Sequence, residues 1–151
     1  MNYSEILREL RTNNKLTQTE IGNILEINWS TYKDYELNLK TIPTKHLNSL
    51  CNYYDISFDY ILGFTNKKQY KNSERNIDKV MAGNRLKDFR KEHKLTAKTL
   101  ADILKTTDGT LYGYEHGRYI IAIPFLYDIC KRYNISADYL LGKIDSPKYL
   151  K

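Results

Sequence analysis

Residues 7–63 and 86–142 are one segment written twice, aligned without a gap at a constant offset of 79. Leu16-Thr17 recurs as Leu95-Thr96, Ile24-Leu25 as Ile103-Leu104 and Tyr35-Glu36 as Tyr114-Glu115. Cys51, Tyr54, Ile56-Ser57, Asp59-Tyr60 and Leu62-Gly63 return as Cys130, Tyr133, Ile135-Ser136, Asp138-Tyr139 and Leu141-Gly142. A repeat of this length constrains the 151-residue chain to two small domains of one fold, each with a thin core near the lower size limit for independent folding. The expected division is a first domain over 1–65, a linker with a short helix over 66–82, a second domain over 83–145 and a tail over 146–151.

No run of 18 apolar residues occurs, and Met1-Asn2-Tyr3-Ser4-Glu5 lacks the basic and apolar regions of a signal peptide. The expectation is a cytoplasmic protein without a membrane partner. Cys51 and Cys130 occupy one position of the repeat, which reads as a small core residue used twice and not as a disulfide. The net charge of +6 is uneven: residues 1–66 carry −2, 67–84 carry +3, 85–142 carry +3 and 143–151 carry +2. Such a surplus suits a polyanion, and equally an ordinary solvated basic surface.

Hydrophobic spacing predicts helices only, so the fold class is all-α with five short helices per copy. Ser4 precedes Ile6, Leu7 and Leu10, a cap and an apolar stripe ending near Asn13-Asn14. Thr17 and Glu20 have capping-box spacing ahead of Ile21, Ile24 and Leu25. Asn28 caps a third helix through Glu36, with Tyr32 and Tyr35 facing inward. After Pro43, Leu47, Leu50, Cys51 and Tyr54 mark one face of a fourth helix, and Ser57 opens a fifth that Gly63 closes. In the linker, Ser73 is placed to cap a short helix bearing Ile77, Val80 and Met81. A flexible linker of this length spans about 25 Å r.m.s..

Helix, tight turn, helix is the outline of a helix-turn-helix. The run from Leu16-Thr17-Gln18-Thr19-Glu20 through Asn28-Trp29-Ser30-Thr31-Tyr32-Lys33-Asp34-Tyr35-Glu36 resembles the Cro and lambda-repressor-like (XRE-type) family of bacterial and phage regulators. The resemblance covers both copies, including the closing Ser-x-Asp-Tyr-x-Leu-Gly, and implies two tandem five-helix domains. It implies double-stranded DNA as partner, with the third helix in the major groove and the start of the second facing phosphate. Thr17, Gln18, Trp29, Ser30, Lys33, Asp34, Asn38 and Lys40 are the corresponding contacts of the first copy, and Lys98, Tyr112 and Arg118 those of the second. Trp29 has a second reading, as local packing or a protein contact. By the same resemblance Arg11 with Glu36, and Arg90 with Glu115, are internal ion pairs tying the first helix to the third. The family's turn usually holds glycine where this chain has Glu26 and Lys105, at a cost of roughly 1 kcal/mol each. Gly22 and Ala101 meet the need for a small residue between the second and third helices.

The second copy keeps the scaffold and loses the reading surface. Gln18 becomes Ala97, and its third helix reads Thr107-Asp108-Gly109-Thr110-Leu111-Tyr112-Gly113. Asp108 repels phosphate, and each glycine weakens the helix by about 1 kcal/mol. Tyr119, Ile120, Ile121, Ile123 and Phe125 form an apolar run where the first copy is mostly polar, expected to be a self-association surface, the face docking the two copies, or a locally thicker core.

These features support a sequence-specific DNA-binding regulator, a repressor acting as a homodimer, whose first copy reads bases while the second supplies dimerisation and backbone affinity. The competing class is a helix-turn-helix scaffold binding protein, as an antitoxin or an inhibitor of a nucleic-acid enzyme. An enzyme is not expected: His46, His93 and His116 lie apart, and no phosphate loop or zinc spacing occurs. No cofactor, metal or small-molecule ligand is expected.

Overall fold

The computed structural model describes residues 3–150. Among them are ten helices and no strand beyond one isolated bridge between Ile135 and Tyr149. The chain forms two compact units, one up to Gln69 and one from Tyr70 onward.

The first unit contains α1 (Tyr3–Asn13), α2 (Gln18–Leu25), α3 (Trp29–Glu36), α4 (Thr44–Tyr54) and α5 (Phe58–Ile61). The Thr17 hydroxyl accepts from the Glu20 amide while the Glu20 carboxylate accepts from the Thr17 amide, closing the capping box. Asn28 caps α3 and Ser57 caps α5 through their side chains. Ser4 is not a cap: it lies inside α1, buried, because the helix already runs from Tyr3. Leu7, Ile21, Tyr32, Ile42, Leu47, Leu50, Phe58 and Ile61 form the closed core.

The second unit contains α6 (Lys79–Glu92), α7 (Ala97–Leu104), α8 (Asp108–Glu115), α9 (Ile123–Tyr133) and α10 (Ala137–Leu140). No separate linker helix exists among the described residues. Asp78, not Ser73, accepts from the Met81 amide and starts α6, which runs unbroken through Gly83. Val80 and Met81, expected on a linker helix, are exposed on the first turn of α6. Gly83 permits this helix to touch the end of α8, since a Cβ there would fall 2.5 Å from the Tyr114 carbonyl oxygen.

Both units recruit a segment beyond the repeat. The Ser57 amide donates to the Lys68 carbonyl and the Ser136 amide to the Lys148 carbonyl, while the Leu150 amide donates to the Asn134 carbonyl. Residues 67–68 and 148–150 are therefore returning straps of their own units, within the stretches expected to be linker and tail. Cys51 and Cys130 are buried core thiols at matching positions.

Ile121 and Ile123 do not belong to an exposed patch. They are 6% and 0% exposed, on the approach to α9 and its first residue, and their counterparts Ile42 and Thr44 are buried in the first unit too. Ile120 and Phe125 are half-buried, and only Tyr119 of the five is exposed. The apolar run is mostly core thickening. It looked like a surface because the matching stretch of the first copy is polar at every buried or flanking position except Ile42 and Pro43.

Candidate nucleic-acid interface

The α2–turn–α3 corner is built from local backbone chemistry. Glu26 terminates α2 in a left-handed conformation (φ 58°) and donates its amide back to the Asn23 carbonyl; Lys105 does the same after α7 (φ 57°). Gly22 lets α3 press on α2, because a Cβ would approach the Ile27 carbonyl oxygen to 2.9 Å. Ala101 is buried at the matching place in the second unit.

Arg11 fixes α1 to the end of α3. Its Nε and Nη2 donate to the two Glu36 carboxylate oxygens at 2.7 and 3.1 Å, and its Nη1 donates to the Leu16 carbonyl. Arg90 repeats the arrangement with Glu115 at the same two distances and with the Leu95 carbonyl. In the first unit the Gln18 amide also donates to Glu36, at 3.3 Å. Burial pushes the Glu36 carboxyl up, and Arg11, the neighbouring Tyr32 hydroxyl and Gln18 outweigh it and hold the group below its ordinary value. The Tyr32 hydroxyl lies beside this carboxylate without closing a hydrogen bond. The second unit has Leu111 and Ala97 at the positions of Tyr32 and Gln18, so its ion pair lacks these polar neighbours.

The sequence-predicted contact residues divide into groups. Trp29, 48% exposed, and Lys33 stand one turn apart on α3, with the Lys33 ammonium 5.3 Å from the Trp29 ring centroid. Ser30 is next to them, its hydroxyl donating to the capping Asn28 side chain at 3.0 Å. Asp34 and Lys40 face one another across 3.4 Å, so each is engaged within the unit. Asn38 is exposed in a left-handed turn (φ 59°). Thr17 is committed to its cap and Gln18 leans toward Glu36.

On α8 the corresponding surface is rebuilt. Tyr112, at the place of Lys33, stacks on His116 with ring centroids 3.7 Å apart, and Arg118 covers the Tyr112 ring at 5.2 Å. Tyr119 replaces Lys40 and lies against Gly113, which replaces Asp34; a Cβ at Gly113 would meet the Tyr119 ring at 2.6 Å. A charge pair in one unit is thus a glycine-aromatic contact in the other. His116 is a member of this stack that sequence reading missed, because an isolated histidine carries no periodic or motif signal. Lys98 is exposed at the start of α7.

Two units of five helices, each locking a helix-turn-helix corner with an arginine-glutamate clamp, define a tandem helix-turn-helix protein. The chain belongs to the helix-turn-helix domain family, XRE type, whose profile matches residues 5–67 and again 83–146. It is 35% identical over 79 residues to the Bacillus subtilis (strain 168) protein YobD, described as an uncharacterized HTH-type transcriptional regulator, covering 52% of this chain and 70% of that one. YqaE of the same organism, with the same description, is 33% identical over 76 residues, covering 50% of this chain and 66% of the relative. No solved structure matches the chain. No described helix is long and apolar enough to cross a membrane.

Proposed function

We propose that the chain is a sequence-specific DNA-binding transcriptional regulator that acts as a repressor. The first unit reads the major groove through α3, and the second adds sequence-neutral backbone affinity. The observation that supports this most is the contrast between the two third helices. Trp29, Ser30 and Lys33 project from α3 on a frame locked by Arg11 and Glu36, whereas α8 begins with Asp108-Gly109 and covers itself with its own aromatic rings. Side chains that can donate to, or pack on, base edges are therefore concentrated in one unit. Charge is concentrated in the other. Residues up to Gln69 hold eight basic and eight acidic side chains, and those from Tyr70 onward sixteen and ten. The relatives named as transcriptional regulators support the same reading.

Selection of binding sites from random duplex DNA at 50 and 200 mM salt tests it. Enrichment of a defined sequence, with binding that weakens steeply between the two salts, is the expected outcome. An enriched palindrome with half-sites about 34 Å apart would add homodimerisation. The exposed Tyr112, His116, Arg118 and Tyr119 favour a second reading, a protein-binding role for the second unit. Absence of any enriched sequence, together with a salt-insensitive protein partner, would replace the first reading by the second.

A further inference from the structure

We infer that Trp29 and Lys33 work as one reading unit on α3, in which Trp29 packs on a thymine methyl and holds the Lys33 ammonium toward a guanine no more than two base steps away. The inference rests on the groove-reading proposal above. It names the bases that the site selects and gives Trp29 a positioning role as well as a contact.

Three observations lead to it. Trp29 is the first residue of α3, directly after its cap, and half of it is open to solvent although it is the chain's largest apolar side chain. Lys33 follows one turn later with its ammonium over the indole; among the described residues it makes no ion pair, while the neighbouring Lys40 is held by Asp34. The second unit has Asp108 and Tyr112 at these two positions, so the pairing belongs to the first unit alone.

The chemistry then selects the bases. An indole offers one N–H donor, no acceptor and a broad apolar face, and the apolar feature of the major groove is the thymine C5-methyl. An ammonium has donors only. It matches the adjacent O6 and N7 acceptors of guanine and is opposed by the amino groups of adenine and cytosine. The ring over Lys33 restricts a flexible four-carbon chain before binding, so less freedom is lost when the complex forms. Residues four apart on a helix are separated by about 6 Å of rise. A base step is about 3.4 Å, which limits the two contacts to neighbouring or next-neighbouring base pairs.

The test uses the full chain and the operator it selects. Each thymine is replaced singly by deoxyuridine, which lacks only the methyl, and each guanine by 7-deazaguanine, which lacks the N7 acceptor. Affinities are measured for the native protein and for Trp29→Ala, Trp29→Phe and Lys33→Met. The native protein should lose about fourfold at one thymine and about tenfold at one guanine within two steps of it. Trp29→Ala should be indifferent to the thymine change and less sensitive to the guanine change, Trp29→Phe should keep most of both, and Lys33→Met should lose the guanine effect alone. Trp29 is the only tryptophan, so operator binding should also shift the intrinsic emission. Trp29→Ala retaining both native penalties, or emission untouched by saturating operator, overturns the inference while leaving groove reading intact. Should Trp29→Ala unfold, Lys33→Met decides: persistence of its guanine penalty overturns the inference. A native protein that selects no operator overturns the groove-reading proposal itself.

Discussion

Glu36 and Glu115 make the same contact in different surroundings. Glu36 is 2% exposed at its side chain and receives Arg11 and Gln18, with the Tyr32 and Tyr54 hydroxyls nearby, the latter pushed up to about 12 by burial. Removing one partner of such a pair leaves a poorly compensated buried charge. Glu115→Gln should therefore cost about 3 kcal/mol in urea unfolding of the second unit. Acid adds a test specific to Glu36. Its folded-state pKa lies below the ordinary 4.5, so its stabilisation is present above 4.5 and disappears as the pH falls through the folded value. Because the only tryptophan belongs to the first unit, Trp29 emission isolates that unit's unfolding. Glu36→Gln should be clearly less stable than the native protein at pH 7, and the gap should narrow below pH 4.5. A gap independent of pH would detach this carboxylate from the acid response.

At the scale of elements, glycines on α8 and α6 predict opposite responses to an added methyl group. Gly109 on α8 faces open space, its nearest neighbour being the Thr107 hydroxyl at 3.9 Å, so Gly109→Ala should stabilise the second unit by about 0.5 kcal/mol in thermal or urea unfolding. Gly83→Ala on α6 forces a Cβ against the Tyr114 and Glu115 carbonyl oxygens at 2.5 and 2.7 Å, and should destabilise by about 2 kcal/mol. The caps Thr17, Asn28 and Ser57 were legible in the sequence because each signal is local: a short polar side chain ahead of an apolar stripe. The start of α6 was not, since Ser73 and Asp78 both qualify as caps and the choice is made by non-local contacts. The Glu74 amide donates to the Lys143 carbonyl and the Asp78 amide to that of Leu141, holding the intervening residues out of a helix. For Ile121 and Ile123 the sequence left surface and core both open, because a hydrophobic run before a helix looks the same whether it faces the core or solvent. Gln18 was assigned outward by resemblance, and only the position of Glu36 shows that its amide has a partner inside.

Across the whole molecule, both compact units carry a complete helix-turn-helix core, and the formal charge of +6 resides in the second. If that unit supplies backbone affinity, a chain ending at Gln69 should retain sequence preference but show a shallower salt dependence, by about 0.9 in log–log slope for every phosphate that is no longer neutralised. An unchanged slope would remove the second unit from the DNA. The exchange of Asp34–Lys40 for Gly113–Tyr119 has a further consequence, for the history of the duplication. A Cβ at 113 would meet the Tyr119 ring at 2.6 Å, so the ring in its present seat and a side chain at 113 exclude one another. Loss of the carboxylate and seating of the ring are therefore coupled, whichever came first. Divergence at this place is a paired change, a charge pair in one copy standing against a glycine and a seated ring in the other.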